Sequence, residues 1–421
     1  MTPLPFAIPL MLITAAALGC GAYHLVVWWR IRRAAQILPR LADGLTVRPP
    51  EGAGAERVCI IVPAHNEQEV IELIAGSLLK LDYPADRLQL VFCLDRCTDR
   101  TEALLRAALS RDNARGVRAD IISITACPEG WAGKTHAMWR GVRDAALAPS
   151  TPAPDFLLFV DADTILAPDL LNAAIGSVRA HGYDLLSLLP TLTSGRSFER
   201  TIQPAAGFEL IRQYPMDVIN RPGASRAFAN GQFMLFKRES YEKIGGHEAV
   251  HNELLEDIAL ARLVRARQNG MRLGVLFAED LLMCRMYPTY AAFRRGWKRI
   301  YTESCRQRPA RLREFAWRLR LTATLLPCSA GLAVPLGAVE MGRGDYWLGG
   351  ALLCCGALGL TAFLGVIGIL LHSQRVPTVF AAAFPFGAWV TGGIMLEAAH
   401  DLKTGAGTTW AGRTYTREVR A

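Results

Sequence analysis

Phe156-Leu157-Leu158-Phe159-Val160-Asp161-Ala162-Asp163 is the stretch whose reading decides the fold. An apolar run this short, rich in aromatic and β-branched residues, reads as a strand buried on both faces rather than a helix. It ends in two carboxylates one residue apart. A central strand that delivers like charges to its end creates repulsion there, and a divalent cation with oxygen ligands relieves it. An Asp-x-Asp by itself is as readily a solvated surface loop. Its place directly after the apolar run gives Asp161 and Asp163 a chemical reason to hold a metal.

Working outward, residues 58–62, 88–94 and 121–124 are apolar runs of the same kind, read as buried strands. Helix-like patterns lie between them at 67–81, 99–111 and 134–147, and residues 148–154 are a loop by composition. This alternation implies a mostly parallel sheet with helices on both faces. Ligands of such sheets bind beyond the carboxyl ends of the strands. Pro63-Ala64-His65-Asn66-Glu67, Asp95-Arg96-Cys97-Thr98-Asp99-Arg100-Thr101 and Asp161-Ala162-Asp163 should therefore share one edge.

A cation at that edge suits a sugar nucleotide, whose diphosphate gathers charge as it leaves and is stabilised by a Lewis acid. Lys134 in Trp131-Ala132-Gly133-Lys134-Thr135 reads either as a second positive charge near the phosphates or as a solvated helix-start lysine. No Gly-x-x-x-x-Gly-Lys occurs, which disfavours nucleoside-triphosphate hydrolysis. Transfer with inversion also needs a base for the acceptor hydroxyl. Asp257, in Glu253-Leu254-Leu255-Glu256-Asp257 ahead of a helical pattern, is either that base or an ordinary acidic helix cap.

The 421 residues are 51% hydrophobic, with apolar residues concentrated at the two ends and charge between them. The net charge of +9 lies largely beside apolar spans, which favours an anionic membrane surface as partner. No zinc-finger spacing or basic-aromatic motif points to nucleic acid. The ten scattered cysteines contain no Cys-x-x-Cys, so a reduced compartment without a disulfide framework fits.

Residues 8–29 are apolar except for His24 and long enough to span a bilayer. Arg30, Arg32 and Arg33 follow and place the next segment in the cytosol by the positive-inside rule. Residues 321–339, 347–371 and 376–396 are further candidate spans, with Pro377 and Pro385 making the last the weakest. Three spans after a cytosolic domain put the tail outside, yet Lys403, Arg413, Arg417 and Arg420 prefer the inside. The sequence leaves that conflict open, with one segment re-entrant or interfacial as the way out. The stretch from Arg294 to Arg320 is dense in Arg and Lys, and Tyr290, Phe293, Trp297, Ile300 and Tyr301 recur at helical spacing opposite a basic face. That pattern reads as an interfacial helix or, more blandly, as a soluble helix with a solvated face.

In order along the chain, Ile61-Val62-Pro63-Ala64-His65-Asn66-Glu67, Leu94-Asp95 with Thr98-Asp99-Arg100-Thr101, Gly133-Lys134-Thr135 and Asp161-Ala162-Asp163 are followed by Ala229-Asn230-Gly231-Gln232-Phe233, Gly245-Gly246-His247 and Leu255-Glu256-Asp257. Together, across residues 58–300, they resemble family-two glycosyltransferases with the GT-A fold. The resemblance implies an inverting hexosyltransferase using a nucleotide-diphosphate sugar, a UDP-sugar foremost. It implies that Pro63, Glu67, Asp95, Lys134 and Asp161 hold the nucleotide sugar, that Asp161 and Asp163 bind Mg or Mn, and that Asp257 is the base. Glu256, Arg294 and Trp297 are candidate acceptor or interfacial residues. Arg285-Met286-Tyr287-Pro288 with Gly296-Trp297-Lys298-Arg299, and the tail Trp410-Ala411-Gly412-Arg413-Thr414-Tyr415, are similar to bacterial carotenoid and hopanoid-associated lipid glycosyltransferases.

Two positions depart from the family. The acidic pair after the second strand is Asp95-Arg96 here. Phe293-Arg294-Arg295-Gly296-Trp297 lacks the Gln and the Arg before Trp of processive synthases. The expectation is therefore non-processive transfer to a membrane lipid. A processive polysaccharide synthase and a catalytically silent scaffold are the alternatives. The implied layout is an anchor at 1–40, a cytosolic GT-A domain at 41–289 and basic interfacial helices at 290–320. A membrane region at 321–398 and a basic tail at 399–421 complete it, in a bacterial inner membrane.

Overall fold

The computed structural model describes residues 4–48, 54–148, 152–221, 223–224, 226–266, 269–406, 408–410 and 413–415. They form two compact units. A sheet unit holds Leu38–Thr193 and Tyr214–Met286, and a helical unit holds Met1–Ile37, Ser194–Gln213 and Tyr287–Ala421. A continuous catalytic domain over 41–289 was expected; residues 194–213 instead group with the helical unit.

One long helix, α1 (Leu4–Ile37), precedes the sheet unit in the chain. The sheet then grows by β1 (Val58–Ala64), β2 (Leu88–Asp95), β3 (Arg118–Ile124) and β4 (Phe156–Val160), parallel and in the order β3-β2-β1-β4. Helices α2 (Ile71–Leu79), α3 (Thr101–Asp112) and α4 (Gly133–Gly141) connect them. Beyond β4 come β5 (Thr164–Leu166), α5 (Leu170–His181), β6 (Leu185–Leu189) and β7 (Thr191–Leu192). The chain leaves for α6 (Ser197–Thr201) and α7 (Gln203–Gln213) and returns through α8 (Met216–Ile219) to β8 (Phe233–Lys237), α9 (Arg238–Lys243) and α10 (Glu256–Arg265). With β9 (Leu273–Phe277) the main sheet is seven-stranded, β8 alone running against its neighbours. β10 (Leu282–Cys284) joins β5 and β7 in a small second sheet.

The expected α/β class and mostly parallel sheet are what the chain forms. Its core is the alternate-face set Ile60, Val62, Leu90, Phe92, Leu158, Val160 and Leu235. Each such side chain contributes about 1.5–3 kcal/mol by leaving water. Truncating Phe92 to alanine should cost ~3–5 kcal/mol. Three local expectations are corrected. Residues 121–124 are not a buried strand: β3 is an edge strand, half-buried, because β2 is its sole neighbour. The helix expected from 67 starts at Ile71, since Val70 and Ile71 N–H groups both donate to the Glu67 carbonyl in a preceding turn. The helix expected to 147 ends in a π-turn at Val142–Ala146.

The helical unit contains α11 (Tyr290–Ser304), α12 (Pro309–Arg320), α13 (Leu326–Gly342), α14 (Tyr346–Ser373) and α15 (Phe384–Thr404). Among the described residues, four stretches are long and apolar enough to cross a membrane: Pro5–Thr46, Pro309–Gly342, Tyr346–Ser373 and Thr378–Thr404. Three contain and the last overlaps a span expected from the sequence, but 321–339 is the second part of a helix that already starts at Pro309. Pro385 sits in the first turn of α15, where a missing N–H costs nothing. α1, α13 and α14 pack on one another around Ala17, Cys20, Ala330, Ala333, Leu352 and Phe363.

The apolar face of α11 is filled by protein, not left for lipid. Phe293 and Tyr301 are fully buried and Trp297 is 3% exposed. Phe198 covers Phe293 at 5.4 Å between ring centres, and the Tyr301 hydroxyl donates to the Ala206 carbonyl at 3.0 Å. Of the tail, Thr408–Trp410 pairs antiparallel with Arg413–Tyr415; Ala411, Gly412, Arg417 and Arg420 lie outside the described residues.

Candidate active site

The carboxyl ends of β1, β2 and β4 lie side by side, so the three polar clusters do share one sheet edge. The first two are laced together. The Glu67 N–H donates to Thr101 Oγ1 at 2.8 Å, the Gln68 N–H to Asp99 Oδ2 at 3.3 Å, and the Thr98 N–H to Asn66 Oδ1 at 2.8 Å. Asn66 takes a left-handed turn at φ 57°, which asparagine tolerates better than most residues. The Thr98–Thr101 motif thus holds the loop that carries Glu67. Pro63 falls past the last β1–β4 pair, Ile61 with Phe159, where a missing ladder donor is harmless.

Beyond β4 sits an acid–base cluster. Lys134 Nζ lies 2.7 Å from Asp161 Oδ1 and 2.8 Å from Glu256 Oε1. Asp257, in the first turn of α10, accepts the Gly231 N–H at Oδ2 (2.8 Å) and the Ile258 N–H at Oδ1 (2.7 Å). Gly231 brings the backbone close to the cluster: a Cβ there would stand 2.9 Å from Lys134 Nζ and 3.3 Å from Asp257 Oδ2. Lys134 is therefore not a solvated helix-start residue; it is a hub joining the β4 end to the start of α10.

One lysine does not balance this many carboxylates. Burial pushes the Asp257 carboxyl up, Glu256 adds to the push, and Lys134 and the two N–H groups only partly offset it, leaving its pKa at about 7. Asp163 is also raised to about 7, by burial and then by Asp161, against Cys284 and Lys134. Glu67 rises to about 8 through burial, then Asp163 and Asp161. Glu256 goes the other way: burial opposes its charge, but Lys134 outweighs burial and holds it below the usual range. Burial works against the Lys134 ammonium too, and Asp161, Glu256 and Asp257 more than compensate, so its pKa is raised.

These residues fit a divalent cation. Asp163 Oδ1 is buried and has no hydrogen-bond partner. The raised carboxyls of Asp163 and Glu67 record the repulsion that an added positive charge would relieve. Among the described residues no group of three or more His, Cys, Asp or Glu side chains forms a ready cage. Two carboxylates with the remaining ligands supplied by substrate phosphates and water is how Mg²⁺-type sites are commonly built.

The other expected residues are placed differently. Asp95 is 3% exposed and both its oxygens are taken by Arg96, Nε at 2.8 Å and Nη2 at 2.6 Å. The missing second acid of the family pattern is thus replaced by an arginine that folds back and neutralises the first. Arg294 and Trp297 belong to the helical unit. Arg294 pairs with Glu397 at 2.6 Å, and Trp297 is buried between Phe293 and Tyr301.

Sequence reasoning passed over Cys284 and His247. The Cys284 thiol is buried against Asp163, with the Gln232 amide donating to its sulfur at 2.8 Å. His247 is fully buried beside Phe159 and hydrogen-bonded to the Tyr241 hydroxyl at 2.8 Å; burial lowers its pKa to about 3. A neutral His247 adds no competing positive charge next to Glu256 and Lys134. The Gly245-Gly246-His247 motif carried that signal without its reason.

A mostly parallel sheet thus carries at its carboxyl edge paired acids, a lysine that bridges two carboxylates and a helix-start aspartate. Residues 55–307 match the family described as glycosyltransferase-like family 2, and the chain belongs to that family. It is 27% identical over 244 residues to the 4,4'-diaponeurosporenoate glycosyltransferase of Staphylococcus aureus strain MRSA252, covering 56% of this chain and 59% of that one. The same enzyme from strain USA300 matches to the same extent, 27% over 244 residues. The chain thus spans 59% of the length of these relatives. A mannosyltransferase from Pyrobaculum calidifontis, solved with GDP-Man and Mn²⁺, aligns at 20% identity and TM-score 0.48, over 84% of this chain and 99% of that one. Glucosyl-3-phosphoglycerate synthase from Mycobacterium tuberculosis, solved with Mn²⁺, UDP and phosphoglyceric acid, aligns at 19% identity and TM-score 0.38, over 60% and 79%.

Proposed function

We propose that this protein transfers one sugar, with inversion, from a nucleotide-diphosphate sugar to a hydroxyl of a membrane lipid on the cytosolic leaflet of a bacterial inner membrane. The observation that carries the reading is the cluster at the β4 end: Lys134 bridges Asp161 and Glu256 directly, and the charges of Asp257 and Asp163 act on the same lysine. Asp161 and Asp163 hold Mg or Mn, which when bound supplies Lewis-acid stabilisation to the departing diphosphate. Glu67 and Asp95 border the nucleotide, with Arg96 limiting what Asp95 can accept. Lys134 holds the acid cluster together and brings positive charge to the phosphates.

Asp257 removes the acceptor proton. Two backbone N–H groups orient its carboxylate, and a pKa near neutrality makes it a base that is both available and strong enough at working pH. Glu256, already charged through Lys134, keeps the proton affinity of Asp257 high by repulsion. The lipid acceptor rests on the apolar helices and on the carotenoid-modifying relatives. UDP-sugars are the first donors to test. Membranes containing the protein are incubated with a panel of labelled sugar nucleotides, and the lipids are extracted for mass spectrometry. Label in a discrete lipid supports the reading; label in a long polymer means processive synthesis; no label above an Asp257→Asn control leaves only a silent scaffold.

A further inference from the structure

Four stretches qualify as spans by length and composition, yet their packing separates them. α1, α13 and α14 have one another as principal neighbours. α15 has α12, α11 and α7 instead. The pairing with α12 is antiparallel. Thr324 Oγ1 donates to the Pro385 carbonyl at 2.7 Å, and one turn earlier Arg320 Nε donates to the Trp389 carbonyl at 3.4 Å. Farther along α15, Glu397 meets Arg294 at 2.6 Å, and Asp401 is hydrogen-bonded to Lys298. At its start α15 lies so close to α6 that a Cβ on Gly387 would stand 2.0 Å from the Thr201 carbonyl oxygen.

The charges on these neighbours decide where α15 can be. α12 carries Arg311, Arg313, Glu314, Arg318 and Arg320, whereas residues 321–339 carry no charge at all. The continuous helix Pro309–Gly342 is 34 residues, which at 1.5 Å per residue is about 51 Å, well beyond the ~30 Å hydrocarbon core. Charged side chains are expelled from that core, so the membrane boundary falls near Leu321–Leu325 and α12 stands outside it. α15 begins at that boundary, beside Thr324 and Arg320, and runs back along α12, away from the hydrocarbon. Its far end is held by two acid–base pairs to the basic helix α11. Exposed apolar side chains gather at the boundary end: Val379 (75%), Phe386 (60%), Leu321 (49%) and Trp389 (41%). The Arg320 guanidinium covers the Trp389 ring at 4.1 Å. Aromatic rings paired with arginine at that level are what a headgroup region selects.

We infer that α15 does not cross the bilayer: among the described residues the spans are α1, α13 and α14, and α15 is a headgroup-level prop that returns the chain to the side of the membrane on which Arg30, Arg32 and Arg33 lie. Lys403 and Arg413 then follow on that same side, and the conflict between span count and tail charge disappears. The inference concerns topology alone and stands or falls independently of the proposed transfer reaction.

The test is sidedness in the full chain. Arg106→Cys on α3, Trp347→Cys after α13 and Thr404→Cys at the end of α15 are made singly, and each is labelled with a membrane-impermeant maleimide before and after permeabilisation, against the wild-type background. Trp347 is 92% exposed, and Arg106 and Thr404 are exposed as well. The expected result is that Thr404→Cys behaves like Arg106→Cys and opposite to Trp347→Cys, whichever side faces the cytosol. Thr404→Cys labelling together with Trp347→Cys would mean a fourth span and overturn the inference. A C-terminal fusion after Ala421 gives an independent readout: a cytosol-only fluorescent reporter lights and a phosphatase reporter stays silent if the tail is inside, and the reverse pattern contradicts it.

Discussion

Two of the acid–base groupings in the molecule differ in balance. In the helical unit Arg294 meets Glu397 and Lys298 meets Asp401, one cation to one carboxylate, with side chains between a third and a half exposed. In the sheet unit Lys134 faces Asp161 and Glu256 directly, with Asp163, Asp257 and Glu67 nearby. There, three carboxyl groups are pushed to about 7 or 8. A balanced, hydrated pair clamps two helices and asks for nothing more. An unbalanced, half-buried set holds repulsion that a bound cation and a proton in transit can discharge. The difference separates a fastening from a site.

The largest effect expected from breaking the unbalanced cluster is on chemistry. Asp257→Asn should lower the transfer rate ~10²–10⁴-fold, the usual worth of a positioned general base, while cation and nucleotide binding persist. Initial rates and binding titrations on the same preparation check both halves. Asp163→Asn comes next: it should remove the stabilisation by Mn²⁺, seen as loss of the cation-dependent rise in melting temperature.

The third prediction concerns pH. Asp257 must be deprotonated to act, so kcat/KM at saturating cation should climb with pH through about 7, and that limb should vanish in Asp257→Asn. Stability without cation should move the other way. Glu67, Asp163 and Asp257 have folded pKa values above their unfolded ones, so the folded chain holds more protons between pH ~4 and ~8. Their contribution is complete below the unfolded values and is lost as pH rises through about 7 to 8. Thermal melts from pH 5 to 8 should fall, and added Mn²⁺ should restore more at pH 8 than at pH 5. The smallest effect belongs to the balanced pair. Glu397→Gln should cost at most about 1 kcal/mol, as exposed ion pairs do, and leave the transfer rate unchanged.

The sequence made the sheet edge legible because strand ends and polar clusters are local in the chain. Residues 156–163 alone locate the end of β4 and its acids. Whether Lys134 is a phosphate ligand or a solvated lysine was open, because its partners Asp161 and Glu256 come from distant segments that only tertiary packing brings within 2.8 Å. The same holds for Arg96, whose neutralisation of Asp95 depends on a left-handed backbone turn at φ 49°. The aromatic stripe of α11 is open in the sequence to an interfacial or a soluble reading, since periodicity reveals an apolar face but not what covers it. Phe198 and the Ala206 carbonyl cover it here, contributed by residues 194–213, which the sequence placed in the other unit.

The most direct test of the central claim follows one reaction in purified, lipid-supplied protein: release of UDP from a UDP-sugar, with and without Mn²⁺, for wild type, Asp161→Ala and Asp257→Asn. The account predicts cation-dependent release with matching label on a discrete lipid in wild type, and loss of both in each variant, with nucleotide binding weakened only in Asp161→Ala. Equal binding by all three proteins, with no UDP released in the presence of any lipid, would contradict it.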